Sequence, residues 1–319
     1  MKRIAVLTSG GDCSGMNAAL RAVVRTAMNE GIEVVGIHRG FRGLIDRQYE
    51  IMQNRSVSNI LQRGGTILQS ARCKEMLTAA GQTLAADTLT GLGVEGLVVI
   101  GGGGSLRGAQ ALAERGTQVI GIPASIDNDL SFTDMSLGVD TALNNILYAV
   151  DCLKDTASSH DRTFVVECMG RDSGYLALVS AVAVGAEFAI IPERPYDLEA
   201  ICGNLRQRYQ EGRINAIIMV AEGAGTAHDI AAQIRGRIGF ETRVMVLGHY
   251  QRGGSPSAFD RLLAARFGLA AVESLLAGES GKMVGLSCSD IALTDFEQVL
   301  QAGIRPIDQL MVTLAHKLS

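Results

Sequence analysis

The sequence predicts an α/β protein built on largely parallel sheets covered by helices. Three observations lead there. Short β-branched runs alternate with helical patterns along most of the chain, each run is continuously apolar as buried parallel strands are, and Gly-rich loops follow the runs. The strand candidates are residues 3–7, 33–37, 96–100, 118–122, 163–168, 188–191, 216–221 and 243–247. Residues 15–30 place Leu20, Val23, Val24, Ala27 and Met28 on one helical face. Residues 140–153 do the same with Leu143, Ile146, Leu147, Val150 and Leu153, and this helix is the expected crossing between two α/β halves.

Composition bounds the function. The 319 residues are long enough for about two domains or one large unit, and with 47% apolar residues they bury a core without staples. A net charge of −4 argues against a broad nucleic-acid surface. Six scattered cysteines without C-x-x-C read as reduced thiols, with Cys152 and Cys168 in the core, and make zinc an unexpected ligand. The N-terminal apolar run is too short for a signal peptide, and residues 176–191, the longest apolar stretch, are broken by Ser180, Gly185 and Glu187. The reading is a soluble, cytoplasmic protein without membrane or nucleic-acid partners.

The chemistry concentrates after the strands: TSGGDCSGMN, GGGGS, PASIDND, MGRDSG, EGAG and GHYQRGG. Ligands of open α/β sheets bind outside the carboxyl ends of strands, and glycine lets backbone N–H groups approach an anion. One such loop is ordinary turn chemistry; six on one sheet edge read as a site. GLGVEG at residues 91–96 precedes its strand, so the dinucleotide fingerprint is a false match, and no Walker A sequence is present. In SIDND, an extended backbone points Asp127 and Asp129 the same way, as a metal pair or as a base and a ligand. Arg162, Arg171, Arg243, His249 and Arg252 read as a cradle for a phosphorylated small molecule.

With these residues assembled, the sequence closely resembles the bacterial 6-phosphofructokinases. The resemblance runs through LTSGGD-x-x-GMNA (7–18), RGGT-x-L-x-SAR (63–72), IGG-x-GS (100–105), IDND (126–129), DT-x-SSH (155–160), MGR (169–171) and LGH-x-QRGG (247–254). It implies two Rossmann-like three-layer domains with mainly parallel sheets and the active site in the cleft between them. The nucleotide-binding domain is expected over 1–138 plus 251–303, and the fructose 6-phosphate domain over 139–250 plus 304–319. The implied reaction moves the ATP γ-phosphoryl group to the 1-hydroxyl of fructose 6-phosphate, with Mg2+ accompanying ATP.

The resemblance assigns Asp127 as base and Arg171 as the cation at the transferring phosphoryl group. Ser125, Ile126, Asp127, Arg162, Met169, Gly170, Arg171, Glu222, Arg243, His249, Tyr250, Gln251 and Arg252 would hold the sugar phosphate, Arg162 and Arg243 reaching in from a neighbouring subunit of a homotetramer with shared sites. Gly11, Arg72, Cys73, Gly102, Gly103, Gly104 and Ser105 would line the nucleotide site. Arg21 and Arg25, one helical turn apart, with Lys154, Gly185, Glu187, Glu211 and Arg213 match an effector pocket for ADP or phosphoenolpyruvate.

The chain departs from the family pattern at several places. Gly103 stands where the family carries a magnesium-binding Asp, leaving Asp129 as the metal candidate. Pyrophosphate-using relatives carry Asp at the position of Gly104 and Lys at that of Ala124; this chain has neither, so room for ATP persists. Ser125 replaces the usual Thr, and Glu211 a usually basic residue, which predicts weak or altered effector control. The alternatives are a pyrophosphate-dependent or other sugar-phosphate kinase of the same fold, and a non-catalytic regulatory paralogue.

Overall fold

The computed structural model describes residues 1–158, 162–213, 215–238 and 241–318. Ser159 and His160 of the DT-x-SSH motif lie outside the described residues. The chain divides into two compact units: Met1–Ile126, Leu130–Thr141 and Arg252–Gly303 form the first, and Asp127–Asp129, Ala142–Gln251 and Ile304–Ser319 the second.

The first unit begins with β1 (Arg3–Ser9), α1 (Met16–Asn29), β2 (Glu33–Ile37), α2 (Phe41–Ile45) and β3 (Tyr49–Ile51). It continues with α3 (Ala79–Gly91), β4 (Gly96–Gly101), α4 (Gly103–Ala113) and β5 (Gln118–Pro123), and α5 (Val139–Ser158) carries the chain onward. After the second unit the chain returns as α9 (Ala258–Leu276), β10 (Lys282–Ser287), β11 (Asp290–Asp295) and α10 (Phe296–Gln301). Its described strands form a seven-stranded sheet in the order β11-β10-β5-β4-β1-β2-β3. The inner five strands are parallel, and β3 and β11 close the two edges antiparallel. Leu7, Val35, Leu97, Val99 and Val119 of the sheet pack with Leu106, Leu112, Phe296 and Val299 into one core.

The second unit contains β6 (Arg162–Cys168), α6 (Tyr175–Val184), β7 (Phe188–Ile190), α7 (Leu198–Gln210), β8 (Ala216–Ala221), α8 (Ala227–Ile234), β9 (Glu241–Val246) and α11 (Gln309–Lys317). Its four described strands are all parallel, in the order β7-β8-β6-β9. Val165, Ile190, Ile218 and Val220 pack against Ile201, Leu205, Ile230 and Ile234. Side-chain caps start the helices where the sequence supplies them: Asp197 accepts from the N–H groups of Glu199 and Ala200 before α7, and Thr226 from that of Asp229 before α8.

Two expectations change. The six chemistry-bearing loops do not share one sheet edge; three follow strands of the first sheet and three follow strands of the second. Cys152, expected in the core, is exposed on α5, because it lies off the helix's apolar stripe, whereas Cys168 is buried. Among the described residues no helix is long and apolar enough to cross a membrane.

Candidate active site

In the first unit β1 pairs with β2 on one side and β4 on the other, so successive connections diverge at β1 and open a crevice at its carboxyl end. Ser9 lies opposite Gly101, and Gly101 opposite Pro123, so the three loops leave their strands at one level. Side chains then bind the motif segments to one another. Asn17 donates to the carbonyls of Arg63 and Gly64, both at 3.1 Å, and accepts from Ile67 N–H at 2.8 Å. Ser14 donates to Gly254 O at 2.8 Å. The Arg252 guanidinium lies against Gly11, where a Cβ would collide with its Nη1, and donates to Asp12 O at 3.0 Å.

At the start of α4, Gly102 is the N-cap without a side-chain bond, and the first turn carries no acidic residue. The free N–H groups and dipole of such an end favour an anion. The space is open: a Cβ on Gly103 would meet only Leu130 Cδ2 at 3.5 Å, and one on Gly104 would meet nothing within 4 Å. Ser105 packs under the ends of β1 and β4, and Ser125 lies beside Gly102. Ile126 is buried, Arg72 is exposed, and Cys73 is half-buried with its thiol pushed up chiefly by burial.

In the second unit, Asp127 is 4% exposed, and its Oδ2 lies 3.5 Å from Arg171 Nε. The segment is not extended as expected: residues 126–127 turn and Asn128 is left-handed at φ 47°, so alternation does not align Asp127 with Asp129. Asp129 is half-buried, and its carbonyl accepts Arg305 N–H at 2.9 Å. The loop after β6 is coiled tightly. Gly170 has φ 145°, Arg171 is left-handed at φ 52°, and Glu222 Oε1 accepts the N–H of both residues, at 3.3 and 2.8 Å. Buried Gln251 accepts Met169 N–H at 3.2 Å and donates to Gly248 O at 3.0 Å. Met169–Arg171, Glu222 and residues 248–251 are thereby tied together at the ends of adjacent strands, with His249 and Tyr250 exposed.

Arg162 and Arg243 do not join that group. Arg162 opens β6 instead of following a strand, and six residues separate it from Cys168, about 20 Å at strand rise. Arg243 sits opposite Phe164 near the same end. Glu241 bridges the two, accepting Arg162 Nε at 2.9 Å and pairing with Arg243, and the Arg162 hydrogen bond holds its carboxyl below the ordinary range. Arg252 opens the last segment of the first unit.

Of the effector candidates, Arg21 and Arg25 lie on α1 in the first unit and the rest in the second. Lys154 donates to Val184 O, and Gly185 ends α6 at φ 61°. Glu187 accepts Ile217 N–H at 2.7 Å and pairs with Arg208 at 3.8 Å, while Glu211 accepts from Gln207 at 2.9 Å. Arg213 follows α7 and is exposed. Sequence reasoning missed Arg208, one of two arginines on α7, and Asn17, whose amide is a polar group on an otherwise apolar helix face.

Among the described residues no three His, Cys, Asp or Glu side chains cluster as a metal site. This donor set fits magnesium only as it travels with a nucleotide, held by one or two carboxylates while phosphate oxygens supply other ligands.

Residues 3–275 match the family model described as Phosphofructokinase. The chain belongs to the phosphofructokinase family. It is 50% identical to the ATP-dependent 6-phosphofructokinase of Thermotoga neapolitana over 320 residues, covering 100% of both chains. It is also 50% identical to that of Halalkalibacterium halodurans, again covering 100% of both. Among solved structures, phosphofructokinase from Saccharomyces cerevisiae superposes with a TM-score of 0.88 at 34% identity; the match covers 100% of this chain and 48% of the yeast one. The pyrophosphate-dependent phosphofructokinase from Nitrosospira multiformis shares the fold, with a TM-score of 0.87 at 20% identity over 99% of this chain and 91% of that one.

Proposed function

We infer that this chain is an ATP-dependent 6-phosphofructokinase, a phosphotransferase of glycolysis that converts fructose 6-phosphate to fructose 1,6-bisphosphate. The observation that carries the chemistry is Asp127, a buried carboxylate 3.5 Å from Arg171 Nε. A carboxylate beside an exposed guanidinium is a base with a cation at hand for the charge that develops in phosphoryl transfer. End-to-end identity of 50% to ATP-dependent enzymes and the open space at Gly104 support ATP as donor.

In this reading the α4 N-terminus and the Gly11 backbone take the donor phosphates, with Arg72 and Cys73 on the nucleoside side. Asp127 removes the proton of the sugar 1-hydroxyl, and Arg171 neutralises the phosphoryl oxygens. Positioning and electrostatics carry most of this catalysis, because the transition state is loose. Magnesium supplies charge neutralisation of the donor phosphates, and Asp129 is the carboxylate proposed to hold it. Ser125, Ile126, Met169, Gly170, Glu222, His249, Tyr250, Gln251 and Arg252 surround the sugar phosphate.

Arg162 and Arg243 lie roughly 15–25 Å along the strands from Met169, a separation that supports their serving another copy's site in a homotetramer; the proposed working compartment is the cytoplasm. For ADP or phosphoenolpyruvate at Arg21, Arg25, Lys154, Gly185, Glu187 and Arg213, the carboxylate of Glu211 opposes an anion, so the response is muted. The proposal is tested by fructose 1,6-bisphosphate formation with ATP and with pyrophosphate as separate donors.

A further inference from the structure

Asp260 of α9 is fully buried, yet nothing in the proposed chemistry uses it. Its Oδ1 accepts Gly138 N–H at 2.8 Å, and its Oδ2 accepts both the N–H (2.8 Å) and the hydroxyl of Thr141. Burial nevertheless pushes its carboxyl up, against the pull of these donors, with Asp140 adding a like charge. The tie is reciprocal: Ser257, the N-cap of α9, donates to Asp140 on α5, while Ser257 N–H donates to Thr141 Oγ1 at 3.0 Å. Each helix start is therefore held by a residue of the other.

What the carboxylate holds leads to the reacting groups. Gly138 has φ 92°, and a Cβ there would lie 2.5 Å from Cys13 Cβ, so this glycine is pressed against the loop after β1. Its neighbour Leu137 donates its N–H to Pro123 O at 3.0 Å and bridges Ala124 in parallel, and Ala124 N–H reaches Gly101 O at 3.0 Å. Leu137 is thus an extra rail beside the end of β5, next to the donor-phosphate loop, and Ala124 leads through Ser125 and Ile126 directly into Asp127.

We propose that Asp260 is a positioning residue for phosphoryl transfer: by pinning Gly138 and Thr141 it fixes the rail that sets Ala124 and Ser125 against Gly101–Gly102, the segment from which the chain runs on into Asp127. The inference rests on the functional reading above. Asp260→Asn is nearly isosteric, but whichever way its amide turns, an NH2 group faces an N–H donor of Gly138 or Thr141. The rail is displaced while the core stays filled. A misplacement of this kind costs rate more than binding.

The test uses the full chain as purified and compares Asp260→Asn with Val299→Ala, a core truncation in the same unit chosen to lower stability without touching the rail. Expected for Asp260→Asn are a kcat lowered about 10- to 100-fold, a KM for fructose 6-phosphate within about twofold, and amide exchange over residues 122–130 roughly tenfold faster. Val299→Ala leaves kcat and that exchange near wild type. Thr141→Val, which removes the hydroxyl that donates to Asp260 and accepts from Ser257 N–H but keeps both backbone N–H donors to the carboxylate, gives a smaller change in the same direction and serves if Asp260→Asn does not fold. Unchanged kcat and exchange in the folded variants overturn the proposal, as does equal acceleration of exchange in Val299→Ala. Failure of the wild type to phosphorylate fructose 6-phosphate counts against the functional reading alone, because exchange over 122–130 still reports on the rail.

Discussion

Replacing Gly103 by Asp puts a carboxylate into the first turn of α4, and the structure sets the size of the effect. A Cβ at 103 meets only Leu130 Cδ2, at the ordinary contact distance of 3.5 Å, and the residue does not sit at positive φ, so the backbone accepts a side chain without strain. Gly103 opens α4, whose first turn has no acidic residue. Relative to Gly, Asp gains about 0.3 kcal/mol of helix propensity. The helix dipole adds about 0.3–1 kcal/mol, so the apoprotein is stabilised by about 1 kcal/mol and melts roughly 1–3 °C higher.

The functional effect has two signs. Without magnesium the new charge repels the donor phosphates and weakens ATP binding; with magnesium it supplies a hard oxygen ligand, and the metal concentration giving half-maximal rate falls several-fold, by roughly 1 kcal/mol. Thermal melting, ATP binding in chelator and a magnesium titration at saturating substrates read all three. A lower melting temperature, or a magnesium titration unchanged from wild type, refutes the view that residue 103 faces open space beside a donor-phosphate site.

Three further outcomes are expected. Asp127→Asn lowers kcat by about two to four orders of magnitude, while fructose 6-phosphate still binds; single-turnover kinetics and equilibrium binding separate the two. Glu222→Gln keeps an acceptor for Gly170 and Arg171 N–H and melts within about 1 °C of wild type, whereas Glu222→Ala orphans both donors and destabilises by about 1–3 kcal/mol. A carbon-13 titration of Glu241 gives a midpoint below the ordinary value of about 4.3, because the Arg162 hydrogen bond favours its charged form. The Arg162–Glu241 tie then contributes to stability above the unfolded value and is lost as pH falls through the depressed folded one, and a midpoint at or above 4.3 contradicts this.

The buried parallel strands were legible because burial on both faces writes a continuous apolar run. β3, β10 and β11 were not read. Exposed Tyr49–Ile51 forms a sheet edge, Gly285 interrupts the apolar run of β10, and β11 is a largely solvent-facing edge strand. Apolar runs also do not say which strands share a sheet, so three loops in each unit read as six on one edge. The motifs placed Asp127 and Arg171 as neighbours in space, but not the left-handed Asn128 that breaks the alternation between Asp127 and Asp129. Arg162 looked like a loop residue because only pairing with Glu241 reveals that it begins a strand. Asp260 and Arg208 carry no local signal: the partners of Asp260 lie 119 and 122 residues away in sequence and Arg208 pairs with Glu187 on another element, so only packing brings them together.

The most direct test is the initial rate of fructose 1,6-bisphosphate formation by purified protein at fixed fructose 6-phosphate and magnesium, with ATP and pyrophosphate offered separately. The account predicts robust turnover with ATP and little with pyrophosphate. Turnover confined to pyrophosphate, or sugar-phosphate binding without transfer from either donor, contradicts it.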